Sequence, residues 1–149
     1  MPGSWPPQDL PHLTEHNCII TSPATADYNC LAWAGGDDTR WWEPDPMGQY
    51  YWPDDAPRTL TTDAFLRAYS TLGFRLCFDG NLEDGIEKVA IYGKGPAGAE
   101  QPTHAALQLR DGRWTSKLGN CEDVTHSTAD DVNGPCYGQV LCFLARERR

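Results

Sequence analysis

No apolar run in this 149-residue chain approaches the roughly 18 residues that a membrane-spanning helix needs. No Cys-x-x-Cys pair is present, which removes the usual ligand spacing of a zinc ribbon. There are no internal repeats, and Gly93-Lys94-Gly95-Pro96-Ala97-Gly98 lacks the phosphate-loop pattern. Positive charge is scarce: 12 Lys and Arg stand against 21 Asp and Glu, a net charge of −9. A phosphate backbone repels such a chain, so nucleic acid is not an expected partner, and neither is a membrane. Arg146-Glu147-Arg148-Arg149 reads as a short solvated tail over 147–149. The segment Met1–Pro7 has neither the basic region nor the apolar stretch of a secretory signal, so a cytoplasmic location is expected.

Apolar and aromatic residues are plentiful. Hydrophobic side chains make up 40% of the chain, with six Trp and six Tyr, enough for a folded core. The length suits one domain: an extended arm over 1–20, then a single unit over 21–146. The six cysteines are Cys18, Cys30, Cys77, Cys121, Cys136 and Cys142. In a reducing compartment they are expected as free thiols, most of them small apolar fillers.

Local patterns place the elements. Cys18–Thr21 reads as a strand, and Ser22-Pro23 as a turn. A helix is expected to start near Asp27 or Asn29, either of which can cap its free amides, and to stop at Gly35-Gly36. Residues 37–59 form a long aromatic loop. Thr61 or Thr62 caps a second helix carrying Phe65, Leu66, Tyr69 and Leu72, which Gly73 ends. Strands are expected at 74–78, 88–92, 103–109, 113–118 and 137–144. Asp111-Gly112 turns the chain between the third and fourth of these. Residues 121–132 read as a polar loop or short helix. Helices followed by strands imply an α+β domain.

Cys30 is the thiol whose surroundings best fit a nucleophile. A helix start offers a dipole and free amides to lower its pKa. Its own backbone amide, with a side-chain donor from Asn29 or Tyr28, is a candidate oxyanion site. His104, at the start of a strand, is the expected base. A two-residue turn at Asp111-Gly112 sets Arg110 against Arg113 and His104 opposite Gly119. Ser116, Lys117 and Asn120 then come near the imidazole. Ser116 and Asn120 can accept its proton and Lys117 cannot, while Asp123 and His126 lie further along and can fold back. Trp33, Trp41, Trp42 and Trp52 pack the core or wall the cleft beside Cys30. The blander reading of any single buried cysteine or histidine is packing. His12 and His16 have helical metal spacing near Cys18, but Pro11 and polar neighbours argue against the helix, so no metal and no cofactor is expected. Glu83, Asp84 and Glu87 read as a solvated turn.

Tyr28-Asn29-Cys30-Leu31-Ala32-Trp33-Ala34, Thr103-His104-Ala105-Ala106 and Trp114-Thr115-Ser116-Lys117-Leu118-Gly119 together resemble a family of small bacterial proteins with no assigned function. The order of Cys-helix, His-strand and polar strand also resembles the papain-like fold, with the NlpC-type cysteine peptidases the nearest analogy. That resemblance implies a Cys-bearing helix packed on a mostly antiparallel sheet carrying the His. It also implies a thiol-dependent peptidase, amidase, deamidase or transferase acting on a peptide, protein or small amide. The alternative is a binding protein on the same scaffold, with the aromatic loop as its contact surface.

Overall fold

The computed structural model describes residues 3–149, so Met1 and Pro2 of the expected arm lie outside the described residues. Seven strands form one antiparallel sheet: β1 (Cys18–Ser22), β2 (Arg75–Cys77), β3 (Ile86–Lys94), β4 (Gln101–Gln108), β5 (Trp114–Lys117), β6 (Asp123–His126) and β7 (Gln139–Glu147). Their spatial order is β1-β6-β5-β4-β3-β7-β2. Among the described residues two α-helices accompany them, α1 (Cys30–Ala34) and α2 (Thr62–Ser70).

Alternation along the central strands divides the core into two layers, because successive side chains leave a strand on opposite faces. Val89, Ile91 and Ala105 face α1, α2 and the loop aromatics Trp42 and Trp52. Ala90, Tyr92 and Ala106 face the other way, onto Trp5, Leu10, Leu13, Trp114, Val124 and Tyr137. The N-terminal arm therefore does more than run over the surface. It buries three apolar side chains against the sheet, and Ser4 ties it down by donating from its amide and hydroxyl to Glu122. The first strand begins at Cys18, inside the span expected as arm.

The capping residues act as their chemistry predicts. The Asn29 side chain accepts the Ala32 amide at 3.2 Å, and Thr61 does the same for Ala64, so Asn29 rather than Asp27 starts α1. Gly35 closes α1, and Gly36 follows at a φ of +83°, which glycine reaches without steric cost.

The expected papain-like, NlpC-like α+β fold is corrected by this architecture. The molecule is mostly a seven-stranded antiparallel sheet with two short helices. Two local causes account for the difference. Gly35-Gly36 stops the Cys30 helix after five residues, so the helical layer is thin. Residues 121–132, expected as loop or short helix, contain β6, which pairs with both β1 and β5.

The β4–β5 register also differs. Leu109 N donates to Arg113 O at 2.7 Å, and Leu107 faces Thr115, so the loop has three residues instead of two. Gly112, at a φ of +92°, supplies the left-handed position that a three-residue hairpin loop requires. The ladder holds only at Leu107↔Thr115 and Gln108↔Trp114; toward His104 the two strands part.

Candidate functional site

Cys30 is the first residue of α1 and reaches a cleft of about 480 Å³. Pro102 and Thr103 of β4 line one side of that cleft, and Gly119, just past β5, lines another. The cleft thus lies where β4 and β5 separate. Trp41, Trp42 and Tyr137 wall it, whereas Trp33 and Trp52 do not line it. Trp33 stacks on Tyr28 and donates its indole N–H to Thr115 Oγ1 at 2.9 Å. Trp52 is buried against Phe65 in the helix-side core.

Asn29 both caps the helix and anchors the cleft wall. Its Oδ1 accepts from the amides of Ala32 and Trp42, and its Nδ2 donates to Trp42 O at 2.6 Å. The side-chain oxygen and one amide hydrogen are engaged by this work. Tyr28 is committed as well, donating its hydroxyl to Asp123 Oδ2 at 2.6 Å. The Tyr28 hydroxyl hydrogen is therefore spent, while Asn29 keeps one N–H of its side-chain amide beyond the bond to Trp42. The donors that face the sulfur are backbone amides: Ala105, Leu31 and Cys30 itself.

Burial pushes the Cys30 thiol up to about 11, against the pull of those amides and of the Lys117 charge. The sequence expectation was a lowered value from the helix dipole. A five-residue helix has a small dipole, and desolvation of the charged form outweighs it. In the resting protein Cys30 is a neutral thiol.

His104 is fully buried on β4, sandwiched by aromatic rings. Tyr137 stacks on it at 4.0 Å between centroids and 14° between planes, and Tyr92 lies at 5.1 Å. Its Nε2 is 3.0 Å from Ser116 Oγ. Ser116 Oγ is in turn 2.8 Å from His126 Nε2, and His126 Nδ1 is 2.8 Å from Thr128 O. The structure therefore brings together His104, Ser116 and His126. The other third-group candidates stay apart. Lys117 and Asp123 face each other on the helix side of the sheet, and the Lys117 ammonium is held by the carbonyls of Thr25, Gly119 and Cys121. Asn120 is exposed in the turn after β5.

The proton positions in this chain follow from its last member. A carbonyl only accepts, so His126 Nδ1 carries the hydrogen. Burial holds His126 below its ordinary value and keeps it neutral, so its Nε2 accepts from the Ser116 hydroxyl. Ser116 Oγ is then left to accept, and His104 donates to it from Nε2. The lone pair of His104 must therefore sit on Nδ1. That atom is buried and has no hydrogen-bond partner. Burial first, and then the charge His126 would carry, keep His104 neutral well below the usual histidine range.

Cys30 and His104 start on opposite faces of the sheet: Cys30 packs with Ala105, and His104 with Tyr92 and Tyr137. They share no hydrogen bond among the described residues. Three features join their surroundings. The amide of Ala105, the residue after His104, faces the Cys30 sulfur. Tyr137 stacks on His104 and also lines the Cys30 cleft. The strands between the two groups are unpaired at that point. Tyr137 and the Ala105 amide carried no local signal in the sequence, since their roles arise from pairing across the sheet.

Elsewhere, His12 and His16 are exposed in the arm. Among the described residues no group of three or more His, Cys, Asp or Glu is placed to hold a metal ion. No helix among them is long and apolar enough to cross a membrane. The six cysteines are free thiols.

The chain thus combines a single antiparallel sheet, an aromatic-walled cleft lined by Cys30, and a buried His104–Ser116–His126 row. The chain belongs to the family described as Domain of unknown function (DUF7689), whose model matches residues 19–145. Comparison with curated proteins and with solved structures gave no match.

Proposed function

We propose that this domain is a cysteine-dependent hydrolase or acyl transferase acting on an amide or ester, with Cys30 as nucleophile and His104 as base. The observation that carries this reading is the buried, partnerless lone pair on His104 Nδ1. A polar atom without a partner in a core costs about 1–3 kcal/mol, so a fold keeps one only with a reason. A base awaiting a proton from the adjacent cleft is such a reason.

Once the two groups meet through the unpaired gap between β4 and β5, the Cys30 S–H proton passes to His104 Nδ1 while sulfur bonds to the substrate carbonyl carbon. The backbone amides around the sulfur donate to the resulting oxyanion. His104 returns the proton to the leaving amine or alcohol as the C–N or C–O bond breaks, leaving a thioester on Cys30. Water or an amine then attacks, His104 takes its proton, and the sulfur leaves and recovers it. Ser116 and His126 are positioning residues: they hold the His104 tautomer and accept strengthened hydrogen bonding when the ring is charged. Substrates are peptides, proteins or small amides, and the reducing conditions that free thiols favour fit a cytoplasmic location.

The test is acylation by an activated ester, followed by intact-protein mass spectrometry and peptide mapping. The reading expects a single adduct on Cys30, absent in Cys30→Ala. Adducts spread over the exposed Cys136 and other thiols, with none on Cys30, would overturn it.

A second reading, a binding domain whose aromatic loop is the contact surface, draws on the burial and raised pKa of Cys30. It predicts that Cys30→Ala keeps every function of the domain.

A further inference from the structure

The cleft beside Cys30 has an uneven chemistry. Its walls are Trp41, Trp42, Pro44, Pro46, Leu60 and Tyr137, which suit an apolar or aromatic group. Two carboxylates line it, Glu43 and Asp45, and no Lys or Arg does. The two acids are in different states. Asp45 is occupied: Arg58 pairs with it at 3.0 Å, and the amides of Gln49 and Tyr50 donate to it. Glu43 is exposed and forms no ion pair among the described residues; its one side-chain hydrogen bond among them is a long 3.4 Å bond from the Trp41 indole.

The chain backbone fixes Glu43 at this rim. Its amide donates to Tyr51 O at 3.0 Å, next to the Trp42↔Tyr51 bridge, and Trp42 is locked by Asn29. The carboxylate is therefore held on the same short segment as the aromatic wall. It is not a stray surface charge. The net charge of −9 adds a field of the same sign.

We propose that the cleft selects substrates that carry, beside the reacting centre, an apolar or aromatic group ending in a cation, an amine or guanidine, with Glu43 as the recognition carboxylate. This deepens the proposed function and rests on Cys30 being the reacting thiol. An anionic group of the same shape meets Glu43 and the overall negative field, with no Lys or Arg lining the cleft to pair with it. A cation can pair with Glu43 and lie over Trp41, whose ring face attracts positive charge.

The experiment uses three chloroacetamides that differ only at the ring: benzyl, 4-(aminomethyl)benzyl and 4-carboxybenzyl. Second-order rates of Cys30 modification are measured by peptide mapping for the wild-type chain and Glu43→Gln. The expected order is cationic, then neutral, then anionic, with about three-fold or more between the charged extremes, the scale of one exposed charge pair. Glu43→Gln should shrink that ratio, and rising salt should shrink it in the wild type. Equal rates for all three reagents, with Cys30 still modified, overturn the substrate class and leave the thiol chemistry standing. Absence of Cys30 modification by every reagent, with other thiols modified, overturns the thiol chemistry itself. A charge preference that persists unchanged in Glu43→Gln removes Glu43 from the recognition role.

Discussion

His104 Nε2 and Ser116 Oγ lie 3.0 Å apart, and because Ser116 also meets His126 Nε2 at 2.8 Å, that contact fixes which nitrogen of His104 stays bare. The arrangement puts three polar side chains from β4, β5 and β6 in one buried row. Each strand contributes a residue to the same face of the sheet.

Ser116→Ala removes the centre of this row. The two imidazoles then lose a common partner, and His104 is free to carry its proton on Nδ1, the wrong nitrogen for a base. Alkylation of Cys30 by iodoacetamide is expected to slow about ten-fold, the equivalent of roughly 1.4 kcal/mol. Ser116→Thr, which keeps the hydroxyl, should recover part of the rate. Equal rates in wild type and Ser116→Ala would show that the row does not act on Cys30.

Acidification should destabilise the fold through the same histidines. Both His104 and His126 have folded pKa values below the ordinary 6.5, with burial the first cause in each. The unfolded chain therefore binds more protons than the native one below that pH. Stability is full above about 6.5 and falls as the pH drops toward the lowered folded values, by up to about 1.4 kcal/mol per pH unit for each histidine. Urea midpoints from pH 7.5 to 5 provide the measurement. A flat profile across that window would contradict the neutral, buried state of both rings.

Asn29→Ala separates structure from chemistry at the residue before the nucleophile. The change removes the cap of α1 and two contacts with the Trp42 backbone. A cost of about 2 kcal/mol in urea unfolding is expected, with altered Trp fluorescence as the cleft wall loosens. Unchanged stability with lost thiol reactivity would assign Asn29 a direct chemical role instead.

Trp5→Ala tests the arm. Trp5 is only 7% exposed and packs in the layer that covers His104's face of the sheet. A loss of about 3 kcal/mol is expected, in the range for large aromatic truncations in a core. No loss would mean the arm is peripheral to the fold.

The local structure around Cys30 and His104 was legible in the sequence, for physical reasons that can be named. Capping by Asn29 and Thr61, and the glycine stop at Gly35, are local events that depend on neighbours in the chain. The strand carrying His104 was visible from its alternation. What stayed hidden depended on contacts distant in sequence. The polar β6 gave little apolar signal, because three of its four residues, Asp123, Thr125 and His126, are buried polar groups, and the partners that hold Asp123 and His126 are distant in sequence. Without β6 the position of His126 beside Ser116 could not be read. The hairpin register slipped by one because Asp-Gly fits both a two-residue turn and the end of a three-residue loop. The papain-like expectation followed the order of Cys, His and polar strand, but order along the chain does not fix how many strands join the sheet.

The most direct test of the account is the rate of Cys30 alkylation by iodoacetamide in wild type and His104→Gln, measured from pH 5 to 9. Gln keeps a donor for Ser116 and removes the basic lone pair, and thermal melts of both proteins establish that each is folded. The account predicts a wild-type rate at pH 7 about 100-fold or more above that of His104→Gln, the lower end of what a positioned base contributes. It also predicts convergence of the two curves as the pH approaches the thiol value of about 11. Matching rates at pH 7 in two folded proteins would contradict the pairing of Cys30 with His104.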